Sequence, residues 1–470
     1  MNDLTSLAWR LVRGTLLGLA AFALVAHGVL LCGGSVWAGL LPVVLLGALA
    51  AQRDDGVRPV GPPAPLPLRA GALVLLAVVF AALCYGALAT PARHWDGVVS
   101  WEMKAMVLAA APTLDQPFFT DHAVYAQSRE YPLLQPLVQA SVQRLAGAAA
   151  GRALFPALWL VLVALAGSAL RRAGLPGTHA WLAALGIGTM PMLVSPTSGA
   201  VDSGYAELAI LTTLTAAAAA FLAKDGWLLG ACCVVAVFLK PEGTVYAGAI
   251  AACAWLLGPR RLATGAVLGT AVALAVWLPL LDFLRYGPLH AAEAPWATRL
   301  AVFAGGAILA GALHERVPRI GARAALLAVA GATAAAAWCL LPGEGAGALS
   351  AYAHNLADLP QRAARTPELL VAGGEQAIAV RRFGLLFPLV ACALWGGWRD
   401  LDDAGRAVAV LLAFGWTIVA VSMLLAPETD FAHHVRSSLH RLLLQWTGVA
   451  VVCAALCLRP QASAARIPSP

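Results

Sequence analysis

His94-Trp95-Asp96-Gly97-Val98-Val99-Ser100-Trp101-Glu102-Met103-Lys104-Ala105 comes directly after an apolar run, Ala70 to Leu88. Ionisable side chains held beside a bilayer cost free energy, so a charged and aromatic segment in that position is expected to have a task. The composition supplies the bilayer. Of 470 residues, 60% are hydrophobic and 12% charged, against about a quarter charged in soluble domains. Apolar runs recur along the whole length, with room for about 14 helices of roughly 20 residues. The expected fold class is therefore all-α, a polytopic membrane protein whose residues 1–470 form a single transmembrane domain. The expected spans are 11–31, 36–51, 70–88, 153–170, 180–194, 205–222, 227–239, 245–257, 262–281, 300–313, 324–341, 384–395, 407–425 and 442–458.

The formal net charge of +7 comes mostly from arginines in short connectors, where basic residues set orientation; nucleic acid is excluded as the partner. Placing both termini in the cytoplasm puts Arg53, Arg58, Arg69, Arg171, Arg172, Lys224, Arg260 and Arg261 inside, as the positive-inside rule requires. Three polar regions then fall outside: 90–151, 342–382 and a shorter one over 427–441. Arg10 and Arg13 ahead of Leu16–Leu31 resemble a signal peptide, but the second apolar run, Val36–Ala50, follows at once and marks an uncleaved anchor. Gly61–Pro67 carries four prolines and is expected to be an extended linker. The tail 460–470 is expected to be disordered.

All nine cysteines lie in or beside apolar runs without C-x-x-C spacing, so neither a disulfide framework nor a zinc site is expected. Only Lys104, Lys224 and Lys240 among the 31 basic residues are lysine. In so arginine-biased a chain, a retained lysine marks a place that needs a compact ammonium.

Region 90–151 is too long for a connector. Asp96, Ser100 and Lys104 stand at i, i+4 and i+8 beside a stripe of Trp101, Ala105 and Leu108, which predicts a helix lying in the membrane interface, anchored by Trp95 and Trp101. Asp96 is the leading catalytic candidate, a carboxylate at the bilayer surface able to take a proton from a hydroxyl nucleophile; the bland alternative is a solvated helix face. Four further elements carry charge or breakage. In Arg129-Glu130-Tyr131-Pro132-Leu133-Leu134-Gln135-Pro136, Pro132 biases Tyr131 away from helix. In Ser203-Gly204-Tyr205-Ala206-Glu207, Glu207 opens an apolar span and calls for a partner cation or a cavity. In Lys240-Pro241-Glu242-Gly243 a span ends, breaks and resumes, which is tolerated where it lines a cavity or is buried in protein; Lys240 and Glu242 can also simply neutralise each other. In His433-His434-Val435-Arg436-Ser437-Ser438-Leu439-His440-Arg441, Arg436 and Arg441 suit a phosphate, whereas the histidine spacing is not a metal-ligand pattern. Gly343-Glu344-Gly345-Ala346-Gly347 and Asp400-Leu401-Asp402-Asp403 have simpler readings as a loop and a capped turn.

In this order the five elements resemble those of the GT-C superfamily of membrane glycosyltransferases, in particular the bacterial group around the protein O-mannosyltransferases and lipid A aminoarabinose transferases. The segments that carry the likeness are Trp95-Asp96 through Lys104-Ala105, Tyr131-Pro132-Leu133-Leu134, Gly204-Tyr205-Ala206-Glu207, Lys240-Pro241-Glu242-Gly243 and Ser438-Leu439-His440-Arg441-Leu442-Leu443-Leu444-Gln445. The resemblance implies outer loops covering a cavity, a sugar donor carried on a polyprenyl phosphate, and an envelope glycan, lipid or protein as acceptor, with inversion at the sugar. It implies that Asp96 acts on the acceptor hydroxyl and that Arg441 and Lys240 face the donor phosphate; Arg436 is expected to join them in binding that phosphate, and Lys104, Tyr131, Glu207, Glu242 and His440 are expected to form the substrate pocket. No cofactor is implied, and a divalent cation has no support in the sequence. Departures are Glu207 in place of Asp, Pro241 in place of a polar residue, His440 in place of an acid, and two spans ahead of the one entering the catalytic loop. The expected location is the inner (plasma) membrane with the site on the periplasmic face. A flippase or transporter for the same lipid-linked sugar is the main rival, and a non-catalytic assembly subunit of an envelope polysaccharide system is the third reading.

Overall fold

The computed structural model describes residues 2–35, 62–92, 94–121, 128–195, 199–291, 358–426 and 430–459, with residues 47 and 355 and scattered residues from 301 to 324. The span expected over 36–51 apart from residue 47, nearly all of 324–341, much of the 342–382 loop and the tail 460–470 lie outside the described residues. Among the described residues every regular element is helical. Five helices are long and apolar enough to cross a membrane: those within Ser6–Leu31, Leu66–Ala89, Ala148–Arg172, Arg260–Arg285 and Asp403–Leu425. A sixth span arises if Phe431–Gln445 and Thr447–Cys457, bent by 51°, are taken together. Glu207–Ala223 and Gly226–Leu239 are apolar but shorter. The chain is thus a multi-pass membrane protein with fewer full-length spans in its described part than the fourteen expected from apolar runs, because several runs fold as short or broken helices.

Glu207–Ala223 is the axis of the bundle. Its alanine-rich sequence has high helix propensity and small side chains, so neighbours approach on every side: Leu154–Arg172, Gly226–Leu239, Asp403–Leu425, Phe431–Gln445 and Thr447–Cys457 all pack on it. The hydroxyls of Thr212, Thr213 and Thr215 donate to the carbonyls of Leu208, Ala209 and Leu211, which satisfies them inside an apolar core. Leu66–Ala89 sits at the periphery and exposes Leu73, Val74 and Val78, the pattern of a lipid-facing helix.

Breaks in the helices follow from local chemistry. Pro191 splits the run expected over 180–194 into Gly177–Gly188 and Pro191–Val194, since proline excludes helix from the residue before it. Pro241 does the same at Lys240, whose extended backbone (φ −156°, ψ 152°) turns Gly226–Leu239 back into Pro241–Leu257. Gly243 completes the reversal: a Cβ there would collide with the Ala236 carbonyl. The outer region expected over 427–441 is largely the helix Phe431–Gln445. Asp430 caps it, its carboxylate accepting the His433 N–H at 2.9 Å, and the chain bends at Trp446, whose ring lies over Gly415. Tyr246 donates to Gln445 at 2.6 Å beside that bend.

Candidate active site

The segment expected to be a regular interfacial helix is instead wound in two ways. Gly97–Glu102 is π-helical and Met103–Ala110 is α-helical, with the Met103 N–H bonded five residues back to Val98. The wider turn breaks the i, i+4, i+8 register, so Asp96 and Lys104 no longer share a face. Trp101 also departs from its expected role: it is buried against the Tyr131 ring, 5.7 Å between centroids, and only Trp95 is exposed.

Gly97 fixes where Asp96 goes. Any Cβ on Gly97 would collide with the Ser203 carbonyl, so glycine permits this turn to lie directly on the segment leading to Glu207. Gly204, at φ +78°, adopts a conformation that glycine takes without steric cost, and its carbonyl accepts from Gln135 at 2.9 Å. Three of the five sequence elements are joined by this contact.

The result is a continuous chain of alternating charges. Arg441 Nη1 lies 3.1 Å from Asp96 Oδ2 and 3.8 Å from Glu207 Oε1. Lys240 Nζ lies 3.1 Å from the same Glu207 oxygen and 3.4 Å from Glu242 Oε1. Glu207, with a side chain 1% exposed, is the buried centre, and Asp96, at 38%, and Glu242, at 34%, are the two exposed ends. Glu207 is the first residue of its helix, where the helix dipole favours a negative charge. The guanidinium of Arg441 stacks over the Tyr205 ring at 4.9 Å, and the His94 ring stacks on Tyr205 at 5.9 Å between centroids. Burial raises the Tyr205 hydroxyl to about 12, which keeps it a neutral hydrogen-bonding group.

These five charged residues line one cavity of about 430 Å³, together with Ser100, Trp101, Tyr131 and Tyr205, a size within the usual range for a small-molecule site. Ser128, which no sequence signal marked, also lines it, and the Ser100 hydroxyl donates to the Ser128 hydroxyl at 3.4 Å. Ser128 has φ +53°, an uncommon conformation for a residue with a Cβ. Ser422 and Met423, from Asp403–Leu425, and Ser437 and Ser438 close the other wall. The serines of the second pair stood in the quoted arginine motif; Ser422 sits in an unremarkable apolar run.

Three residues expected at the pocket stand elsewhere. Lys104 is fully buried behind the wall, its ammonium donating to the carbonyls of Ser128, Arg129 and Tyr131 and lying 5.7 Å from the Tyr131 ring. It ties the loop that bears Ser128 and Tyr131 to the helix and does not line the cavity. Burial lowers its pKa to about 7, opposed by Glu130 and assisted by Arg129. His440 is buried off the cavity and Arg436 is exposed outside it. Both follow from helix geometry: Arg441 faces the cavity, and neighbours one and five positions earlier point about 100° and 140° away.

Among the described residues no group of three or more His, Cys, Asp or Glu stands in an arrangement that would hold a metal ion. The three carboxylates of the cavity are each bound to Arg441 or Lys240.

No family model and no curated protein sequence matches this chain. Solved structures match in fold. An oligosaccharyltransferase from Archaeoglobus fulgidus, solved in complex with Zn and sulfate, has a TM-score of 0.51 and 16% identity, covering 82% of this chain and 48% of that one. The oligosaccharyltransferase AglB from the same organism, solved with an inhibitory peptide and a dolichol-phosphate, has a TM-score of 0.49 and 14% identity, covering 84% and 50%. The chain spans about half the length of these proteins. At such identity the likeness is one of fold alone: the helical architecture is shared with the first of these structures.

Proposed function

We propose that this chain is a glycosyltransferase that moves a sugar from a polyprenyl-phosphate donor to an envelope glycan, lipid or protein acceptor, with inversion, at the outer face of the inner membrane. The supporting observation is the convergence of Asp96, Arg441, Glu207, Lys240 and Glu242 on one cavity from four separate parts of the chain. The GT-C-like fold and the order of the five motifs, which resemble the O-mannosyltransferase and aminoarabinose transferase group, give the chemistry its class.

Charge balance suggests how the site works. Three carboxylates and two cations leave the row at a formal −1, so a phosphate gains a cation only by taking the place of a carboxylate. Glu207 is too buried to leave, whereas Asp96 and Glu242 sit at the two exposed ends, Asp96 beside Arg441 and Glu242 beside Lys240. A donor phosphate that pairs with Arg441 releases Asp96. The freed carboxylate then accepts the proton of the acceptor hydroxyl as its oxygen attacks the anomeric carbon. The bond from that carbon to the phosphate oxygen breaks, the electron pair stays on the phosphate, and Arg441 and Lys240 stabilise the growing charge. Attack opposite the leaving group inverts the sugar. Glu207 holds both cations in position throughout, and Tyr131 and Glu242 shape the walls.

Donor exchange with Asp96 gives a distinctive expectation for Asp96→Asn. Turnover of labelled polyprenyl-phosphate sugar by purified protein with a membrane extract falls about 100-fold or more, while affinity for the lipid phosphate is unchanged or up to about fivefold tighter, because a competing ion-pair partner is lost. Unchanged turnover would remove Asp96 from the chemistry. Movement of the lipid-linked sugar across vesicles without transfer would favour the flippase reading.

A further inference from the structure

The helices that bear Glu207 and Lys240 carry a second concavity at their other ends. Glu207–Ala223 has 17 residues, about 25 Å of helix, and ends at Lys224, which lines a groove of about 850 Å³. The two hollows are therefore separated by most of a bilayer's apolar thickness. Their electrostatics are opposite. The mouth of the groove brings together Arg13, Arg172, Lys224, Arg260 and Arg261 with one acid, Asp225, a formal +4 against the −1 of the cavity.

That acid is already committed. Asp225 accepts from Arg13 Nε at 2.5 Å and caps the next helix by accepting the Leu228 N–H at 3.0 Å. Arg172 is held over the Trp9 ring at 4.7 Å. Orientation by basic connectors explains cations near a membrane surface, but not their convergence from three connectors and the first helix around one hollow. Lys224 adds a backbone observation. It stands at φ +53° as the left-handed cap of its helix, a position where glycine is the usual residue and a side chain is strained. One of the chain's three lysines is kept at that cost.

Below the mouth the groove is apolar. Gly226 and Gly230 meet Gly265 and Gly269 so closely that a Cβ on any of them would strike the facing helix backbone. This pairing of small residues at a four-residue spacing brings membrane helices into backbone contact and leaves a floor without side chains. Leu17, Leu24, Val234, Leu268 and Val272 form its apolar lining. Trp227, 73% exposed at the mouth, is of the type that settles at headgroup depth.

We propose that this groove is a binding site for an anionic glycerophospholipid of the leaflet opposite the catalytic cavity, with the phosphate between Lys224, Arg260 and Arg261 and an acyl chain along the glycine floor. A free anion would use the cationic mouth alone; the long apolar trench fits a lipid. The site is separate from the reading of the cavity, and its test does not depend on sugar transfer.

The test is native mass spectrometry of the full chain in detergent, equilibrated with equal amounts of phosphatidylglycerol and phosphatidylcholine. The native chain retains phosphatidylglycerol in preference. Arg260→Gln with Arg261→Gln lowers that retention about fivefold for each cation removed. Leu268→Trp, which fills the trench from an exposed position and leaves every cation in place, also lowers it. Lys224→Gly lowers retention while raising the melting temperature by relieving the left-handed strain, so lost binding is not lost folding. Equal retention of the two lipids by the native chain overturns the proposal, as does undiminished retention in the arginine variant. Retention by Leu268→Trp equal to native overturns the lipid assignment, because the anion would then need only the mouth.

Discussion

Lys104 shows how one substitution of environment changes what a residue is for. The sequence placed it beside Asp96 as a pocket cation; the π-turn rotates it into the protein, where three carbonyls receive it. Its pKa is lowered to about 7, first by burial, so between pH 7 and 10.5 the unfolded chain binds a proton that the folded chain does not. Stability therefore rises with pH across that window. Thermal melts from pH 7 to 10 are expected to show this rise in the native protein and a flatter response in Lys104→Met; parallel curves would refute it. Glu207 is the opposite case. Both cations of the cavity lie within 4 Å of its one carboxylate, so its proposed role is to hold them in position.

At the scale of elements, the decisive features are places where helices fail to continue. The turn at Pro241 was legible because proline dictates the backbone of the residue before it. The π-turn was not, because Gly97–Glu102 satisfies helical periodicity locally and nothing in that segment marks the close approach of Gly97 to the Ser203 carbonyl across the interface. Gly97→Ala tests this contact. Overpacking there is expected to cost about 1–3 kcal/mol and to separate Asp96 from Arg441, lowering both the melting temperature and turnover. Native-like stability and activity would show that the close approach is dispensable. The arginine motif illustrates the limit of reading polar residues as loop: Phe431–Gln445 is helical because Asp430 caps it and its apolar face packs on the Glu207 helix.

For the whole molecule, the cavity and the groove stand at opposite ends of one helical axis, so they are expected on opposite sides of the membrane. Cysteine replacements at exposed positions report this directly. With Cys32 and Cys392, the exposed thiols among the described residues, changed to serine, a membrane-impermeant maleimide applied to sealed cells labels Trp95→Cys and spares Trp227→Cys until the membrane is permeabilised. Labelling of both from outside would place the two hollows on one side and remove the assigned orientation.

The sequence by itself determined that this is a helical membrane protein, roughly where its apolar helices lie, and which short motifs carry charge into them. Those follow from transfer free energy and from proline and glycine backbone limits, which act on neighbouring residues and so are written locally. Only the tertiary structure decided that Asp96 and Arg441, 345 positions apart, meet in a row of charges through Glu207, that Lys104, Arg436 and His440 stand apart from it, and that a basic groove lies at the far end. Those outcomes depend on how helices cross and how a turn winds under contact. They are properties of packed surfaces, and no single segment contains them.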